Sequence, residues 1–118
     1  MFDFEKLVVY QKALGLVKEV LFWLGQTRGV DEVLSKQLKR ASTSILFNIA
    51  EGTGRLALAD KKHFYTIARG SVFETASILQ LLSAMDKLDP TASKKQQETL
   101  VEISKMLLAL IRSCKPQP

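Results

Sequence analysis

Arg40-Ala41-Ser42-Thr43-Ser44-Ile45-Leu46-Phe47-Asn48-Ile49-Ala50-Glu51-Gly52-Thr53-Gly54-Arg55 is the run whose reading decides the fold. Ile45 and Ile49 are four apart and share one helical face. Asn48 and Glu51 are three apart, on a face that borders the apolar one. Gly52 and Gly54 are expected to stop the helix, because glycine accepts the left-handed backbone of a C-cap. Extended backwards, the apolar seam continues through Ala41, Leu38 and Leu34, so a helix is predicted over about 32–51. Asp31 is its expected N-cap, with Glu32 at the positive end of the dipole.

Before this helix, Leu7, Tyr10, Leu14, Val17, Leu21 and Leu24 alternate spacings of three and four, predicting a helix over about 4–26. A second stripe, Val9, Ala13, Leu16, Val20 and Trp23, lies about 200° round the same helix. One stripe can face a bundle core. The other, with Val9, Leu16, Val20 and Trp23, reads as a self-association surface; the competing reading is a broad core that absorbs both.

Beyond the glycines, Asp60 is the expected N-cap of a third helix over about 61–87. Phe64, Ile67, Ser71, Thr75, Ile78, Leu82 and Met85 are its expected inner positions. Gly70 inside it costs about 1 kcal/mol relative to Ala, so close backbone packing is expected there. Asp89-Pro90-Thr91 starts a fourth helix over about 91–113, with Leu100, Ile103, Leu107, Leu110 and Cys114 inward and a frayed tail from Lys115. Short connections force neighbours to be antiparallel. The expectation is an all-α, up-down-up-down four-helix bundle in one domain, about 30 Å long.

Composition sets the outer bounds. The apolar fraction is 47% and the charged fraction 25%, ordinary for a globular chain. No apolar run approaches the roughly 20 residues a membrane-spanning helix needs, and no membrane partner is expected. The amino terminus lacks a signal-peptide layout, and the lone Cys114 fits a reducing compartment, so a cytoplasmic location is expected. The net charge is +5. It is concentrated in mid-chain, where Lys36, Lys39, Arg40, Arg55, Lys61, Lys62 and Arg69 are opposed only by Glu51 and Asp60. These seven are the candidate nucleic-acid contacts; the alternative is a solvated basic face.

Chemistry is poorly supplied. A di-iron bundle needs inward carboxylates and Glu-x-x-His pairs, but the single His63 has no glutamate three residues before it. Cys114 has no histidine near it in sequence, and Gly52-Thr53-Gly54-Arg55 follows a helix instead of leading into one and lacks the Walker lysine. No catalytic residue, metal or cofactor is expected. Glu51 and Glu74 as an acid–base pair rank below a structural role. Asn48, Glu51 and Glu74 are expected to form a polar lock, with Asn48 and Glu51 bonding across to the third helix or its leading loop and an arginine completing the set.

Ser44, Asn48, Ile49, Ala50, Glu51, Gly52 and Arg55 together resemble the signature of a bacterial four-helix-bundle family. That family includes proteins encoded within intervening sequences of large-subunit ribosomal RNA and the accessory variability proteins of diversity-generating retroelements. Val9-Tyr10-Gln11-Lys12-Ala13 matches its opening pattern, and Phe64 through Glu74, with Ala68, Gly70 and Ser71, its third-helix pattern. Leu46 and Phe47 depart from it where relatives commonly carry proline, and Leu56-Ala57-Leu58-Ala59 is more apolar than the usual turn. The resemblance implies a homo-oligomeric ring, typically a pentamer, with a basic surface for RNA or DNA and, in retroelement members, a reverse transcriptase as partner. Phosphate contacts of this kind carry little sequence preference. No aromatic platform for stacking bases is visible in the sequence, so base-specific readout is not expected. The alternative function is a protein-interaction scaffold without nucleic acid.

Overall fold

The computed structural model describes residues 1–115. From Pro116 onward the expected frayed tail lies outside the described residues. After a single 3-10 turn at Asp3–Lys6, four helices follow: α1 Val8–Gln26, α2 Glu32–Gly54, α3 Leu58–Ala84 and α4 Pro90–Ser113. Each helix neighbours the next, and α4 returns to α1, giving the antiparallel up-down-up-down bundle. The molecule measures 52 × 24 × 23 Å. It exceeds the expected length because α3 alone, at 27 residues, rises about 40 Å.

Two starts follow sequence chemistry directly. Asp31 Oδ1 accepts from Val33 N at 2.9 Å and Leu34 N at 3.1 Å. Asp89 accepts from Ala92 N at 3.1 Å, with Pro90 as the first helical residue. The third start differs from expectation. α3 begins at Leu58 behind an uncapped Ala57, and Asp60 lies within its first turn. There its charge meets the dipole without being the cap. At the other end α3 stops at Ala84, earlier than expected. Lys87 N donates to Leu82 O and Asp86 N to Ser83 O, with Asp86 left-handed at φ 58°. That is a Schellman stop carried by an aspartate.

The glycines act differently from the reading above. α2 runs through Gly54, and Gly52 is a buried helical residue, not a left-handed cap. A Cβ on Gly52 would lie 2.9 Å from Tyr65 Cε1. Gly52 therefore permits the close approach of α3, the role expected of Gly70. A Cβ on Gly70 would meet nothing within 4 Å.

The core is built from Val9, Ala13, Leu16, Val17 and Val20 of α1, Leu38, Ala41, Ile45, Leu46 and Ile49 of α2, and Leu100, Ile103 and Leu107 of α4. α3 contributes Tyr65, Ala68, Val72, Ile78, Leu79 and Leu82. α1 and the first half of α3 are turned from the expected register, whereas Thr75, Ile78 and Leu82 of α3 are buried as expected and Met85 is exposed. In α1 the stripe assigned to self-association is the core: Val9, Leu16 and Val20 are buried within this chain, and Trp23 is partly buried. Leu14 and Leu21, expected inside, are exposed, as is Phe22. In α3, Tyr65, Ala68 and Val72 take the places expected for Phe64, Ile67 and Ser71. Tyr65 is tolerated inside because its hydroxyl has a partner, Thr53 Oγ1 at 2.9 Å. α2 and α3 form the most extensive pair, made possible by small Ala41, Ser42 and Ala68. Buried Ser42 and Thr75 satisfy themselves on Leu38 O and Ser71 O of their own helices, each at 2.7 Å.

Candidate nucleic-acid interface

The seven candidate cations do not form one surface. Lys36 and Arg40 lie on the outer edge of α2, where Lys36 pairs with Glu32 at 3.2 Å and Arg40 forks onto Glu74 of α3 at 2.5 and 3.0 Å. Lys39, also exposed, has no carboxylate within 4.0 Å among the described residues. Some 15 residues further along α2, about 22 Å away, Arg55 pairs with Glu51 at 2.7 Å and lies 4.7 Å over the Phe64 ring. Lys61 donates to Thr53 O at 2.9 Å, neutralising the carbonyl end of α2. These placements commit Arg40, Arg55 and Lys61 to contacts within the chain.

Arg69 points the other way. Its Nε donates to Ser104 O of α4 at 3.3 Å, and its guanidinium covers Phe73 at 4.9 Å. Lys62, two helical turns before it on the same side of α3, is exposed and unpaired among the described residues. On α4, Lys105 and Arg112 are both exposed and likewise without an acidic partner among the described residues. Lys105 adjoins Ser104, and Arg112 adjoins Ile111, which lines the same recess as Arg69. The sequence reading missed Lys105 and Arg112 because it counted charge along the chain. Only the α3–α4 pairing brings residues some 40 positions apart into one groove.

That groove is apolar at its floor. One recess of about 350 Å³ is lined by Phe73, Gln80, Gln97 and Val101 among others, and a second of about 540 Å³ by Arg69, Gly70, Phe73, Leu108 and Ile111. Gln97 bridges it, donating to Ala76 O and accepting from Gln80.

The polar lock exists with a different membership. Glu74 takes part, through Arg40. Asn48 Nδ2 donates within α2 to Ser44 O at 2.8 Å and Ser44 Oγ at 3.0 Å, and Ser44 Oγ in turn accepts from Ser71 Oγ of α3 at 2.8 Å. Asn48 thus orients the bridging serine without crossing itself. Glu51 also stays within α2 and its C-cap residue, bound to Arg55. Thr53–Tyr65 and Lys61–Thr53 complete the α2–α3 stitching. Burial pushes the Tyr65 phenol above its ordinary value of 10.0, partly opposed by the Thr53 hydrogen bond.

Glu51 and Glu74 each face an arginine, and those partners lie at separate points along α2. Among the described residues no cluster of three His, Cys, Asp or Glu side chains gathers as metal ligands. Cys114 is buried, with its Sγ against Leu110 O. No helix of the described residues is long and apolar enough to cross a membrane.

The family described as "23S rRNA-intervening sequence protein" matches over residues 5–109. A crystal structure of a protein with unknown function from the S23 ribosomal protein family of Bacteroides thetaiotaomicron VPI-5482 superimposes with a TM-score of 0.83 at 27% identity, covering 89% of this chain and 96% of that one. No curated protein matches the chain.

Proposed function

The chain belongs to the 23S rRNA-intervening sequence protein family, and from that premise we propose that it is a non-enzymatic accessory protein that binds RNA or DNA through phosphate contacts. The observation that carries this reading is the groove between α3 and α4, lined by Arg69, with exposed Lys62, Lys105 and Arg112 on the same two helices. None of the four has an acidic partner within 4.0 Å among the described residues. Cations carried on both helices of a groove suit a phosphate backbone running along it. Lys39 adds a further unpaired charge on α2. Arg40 and Arg55 contribute less, because each already neutralises a glutamate.

The proposed working form is a homo-oligomeric ring, of which a pentamer is one closure, acting in the cytoplasm and offering repeated basic grooves to one nucleic acid. A reverse transcriptase and its RNA template would suit such a ring as partners. Exposed Leu14, Leu21 and Phe22 on α1 give an apolar surface for the subunit contact, replacing the buried Val9, Leu16 and Val20 in that role.

A protein-interaction scaffold is the second reading, favoured by the apolar floor of the same groove around Phe73 and Val101, both half exposed or more. A titration of labelled ribosomal RNA fragments at several salt concentrations separates the two. The nucleic-acid reading expects affinity to fall steeply as salt rises. Affinity independent of salt, or none at all, leaves the scaffold.

A further inference from the structure

The amino-terminal turn builds a feature that neither the groove nor the core uses. Phe2 stacks on Phe4 with ring centroids 5.4 Å apart and planes within 10°, and Phe4 rests on Tyr10 at 4.7 Å. The ladder is held in place by polar contacts. Phe2 N donates to Glu5 Oε2 at 2.6 Å, and Gln11 Nε2 donates to Glu5 O at 3.0 Å. Phe4 and Tyr10 are half-buried and close the end of the bundle, but Phe2 is 71% exposed. A ring added only to seal the core would not be left this open.

Beside Phe2 is a cleft of about 290 Å³, lined by Phe2, Asp3, Phe4, Ala50, Thr53 and Gly54. Its polar rim includes the Asp3 carboxylate, which has no hydrogen-bond partner among the described residues. A flat aromatic face with an acceptor at its edge matches a nucleobase, which has a π face and a donor edge. A wholly apolar partner would strand the Asp3 carboxylate.

We infer that the Phe2–Phe4–Tyr10 ladder is a stacking platform for an unpaired base of single-stranded nucleic acid, entering beside Asp3 and Gly54. This rests on the nucleic-acid reading above. It supplies the aromatic platform that the sequence did not reveal, because Phe2, Phe4 and Tyr10 become a ladder only through the 3-10 turn.

The test compares labelled oligoadenylate with an abasic oligomer of equal length and charge, by fluorescence anisotropy. Wild type should bind oligoadenylate about tenfold more tightly than the abasic chain. Phe2→Ala should erase that preference while leaving abasic binding unchanged, and Phe2→Trp should restore it. Equal wild-type binding to both chains, or a preference that survives Phe2→Ala, overturns the platform while the phosphate reading stands. No binding to either chain overturns both. A changed oligomeric mass for Phe2→Ala would instead make the ladder a subunit contact and also overturn the platform. Because Phe2 is exposed, its variants should melt as wild type does.

Discussion

Gly52 and Gly70 show how one residue type serves opposite ends. Gly52 lies against the Tyr65 ring, so Gly52→Ala should destabilise by about 1–3 kcal/mol through overpacking. Gly70 is a solvent-facing helical glycine with space around it, so Gly70→Ala should stabilise by about 1 kcal/mol. Chemical denaturation of both variants checks the pair; the same sign for both would contradict the geometry. Tyr65 adds a pH signature. Its phenol is held above 10.0 in the fold, so the neutral form is favoured and its contribution is complete below the unfolded value. It is lost as pH rises through the folded value. Tyr65→Phe should cost about 1 kcal/mol at neutral pH, from the lost Thr53 bond. Above pH 10 the wild-type melting temperature should fall more steeply than the variant's; parallel curves would contradict the assignment.

At the scale of the elements, the α2–α3 hairpin is the organising unit, and its polar stitches differ in value. Arg40 and Glu74 are 65% and 40% exposed, so Glu74→Gln should cost no more than about 1 kcal/mol in a thermal melt. The α3 stop holds Asp86 left-handed, where glycine is easier, so Asp86→Gly should gain up to about 1 kcal/mol. Helix existence, the cap at Asp31 and the helix start at Asp89-Pro90-Thr91 were legible in the sequence, because periodicity, capping and proline placement are local. The buried face was not. α1 and α3 carry apolar residues on two sides, and only the neighbours choose between them. Val9, Leu16 and Val20 won over Leu14 and Leu21, and Tyr65 entered because Thr53 lay opposite. Gly52 read as a stop because glycine serves caps and close contacts alike, and only the opposing Tyr65 ring distinguishes them. The site was legible in part. Lys62 and Arg69 could be named, but Lys105 and Arg112 joined them only once α4 folded back along α3.

Over the whole molecule, charge and apolar surface divide by face. The α2 edge spends most of its cations on internal ion pairs, whereas those of α3 and α4 beside the apolar groove, including Arg69 with its contacts to Ser104 O and Phe73, have no acidic partner among the described residues. The exposed apolar side of α1 is the proposed subunit contact, so Leu14→Glu with Leu21→Glu should shift the proposed oligomer to monomer in light scattering without unfolding it. An unchanged mass would remove α1 from the assembly. The claim on which the functional account turns is that phosphates are met in the α3–α4 groove. RNA affinity measured across salt concentrations, for wild type and for Lys62→Gln with Lys105→Gln, tests it most directly. The account predicts that log K falls linearly with log salt and that the double variant weakens binding while flattening the slope by about 2, one for each lost contact. An unchanged slope, with the loss appearing instead in Lys36→Gln with Lys39→Gln, would contradict it.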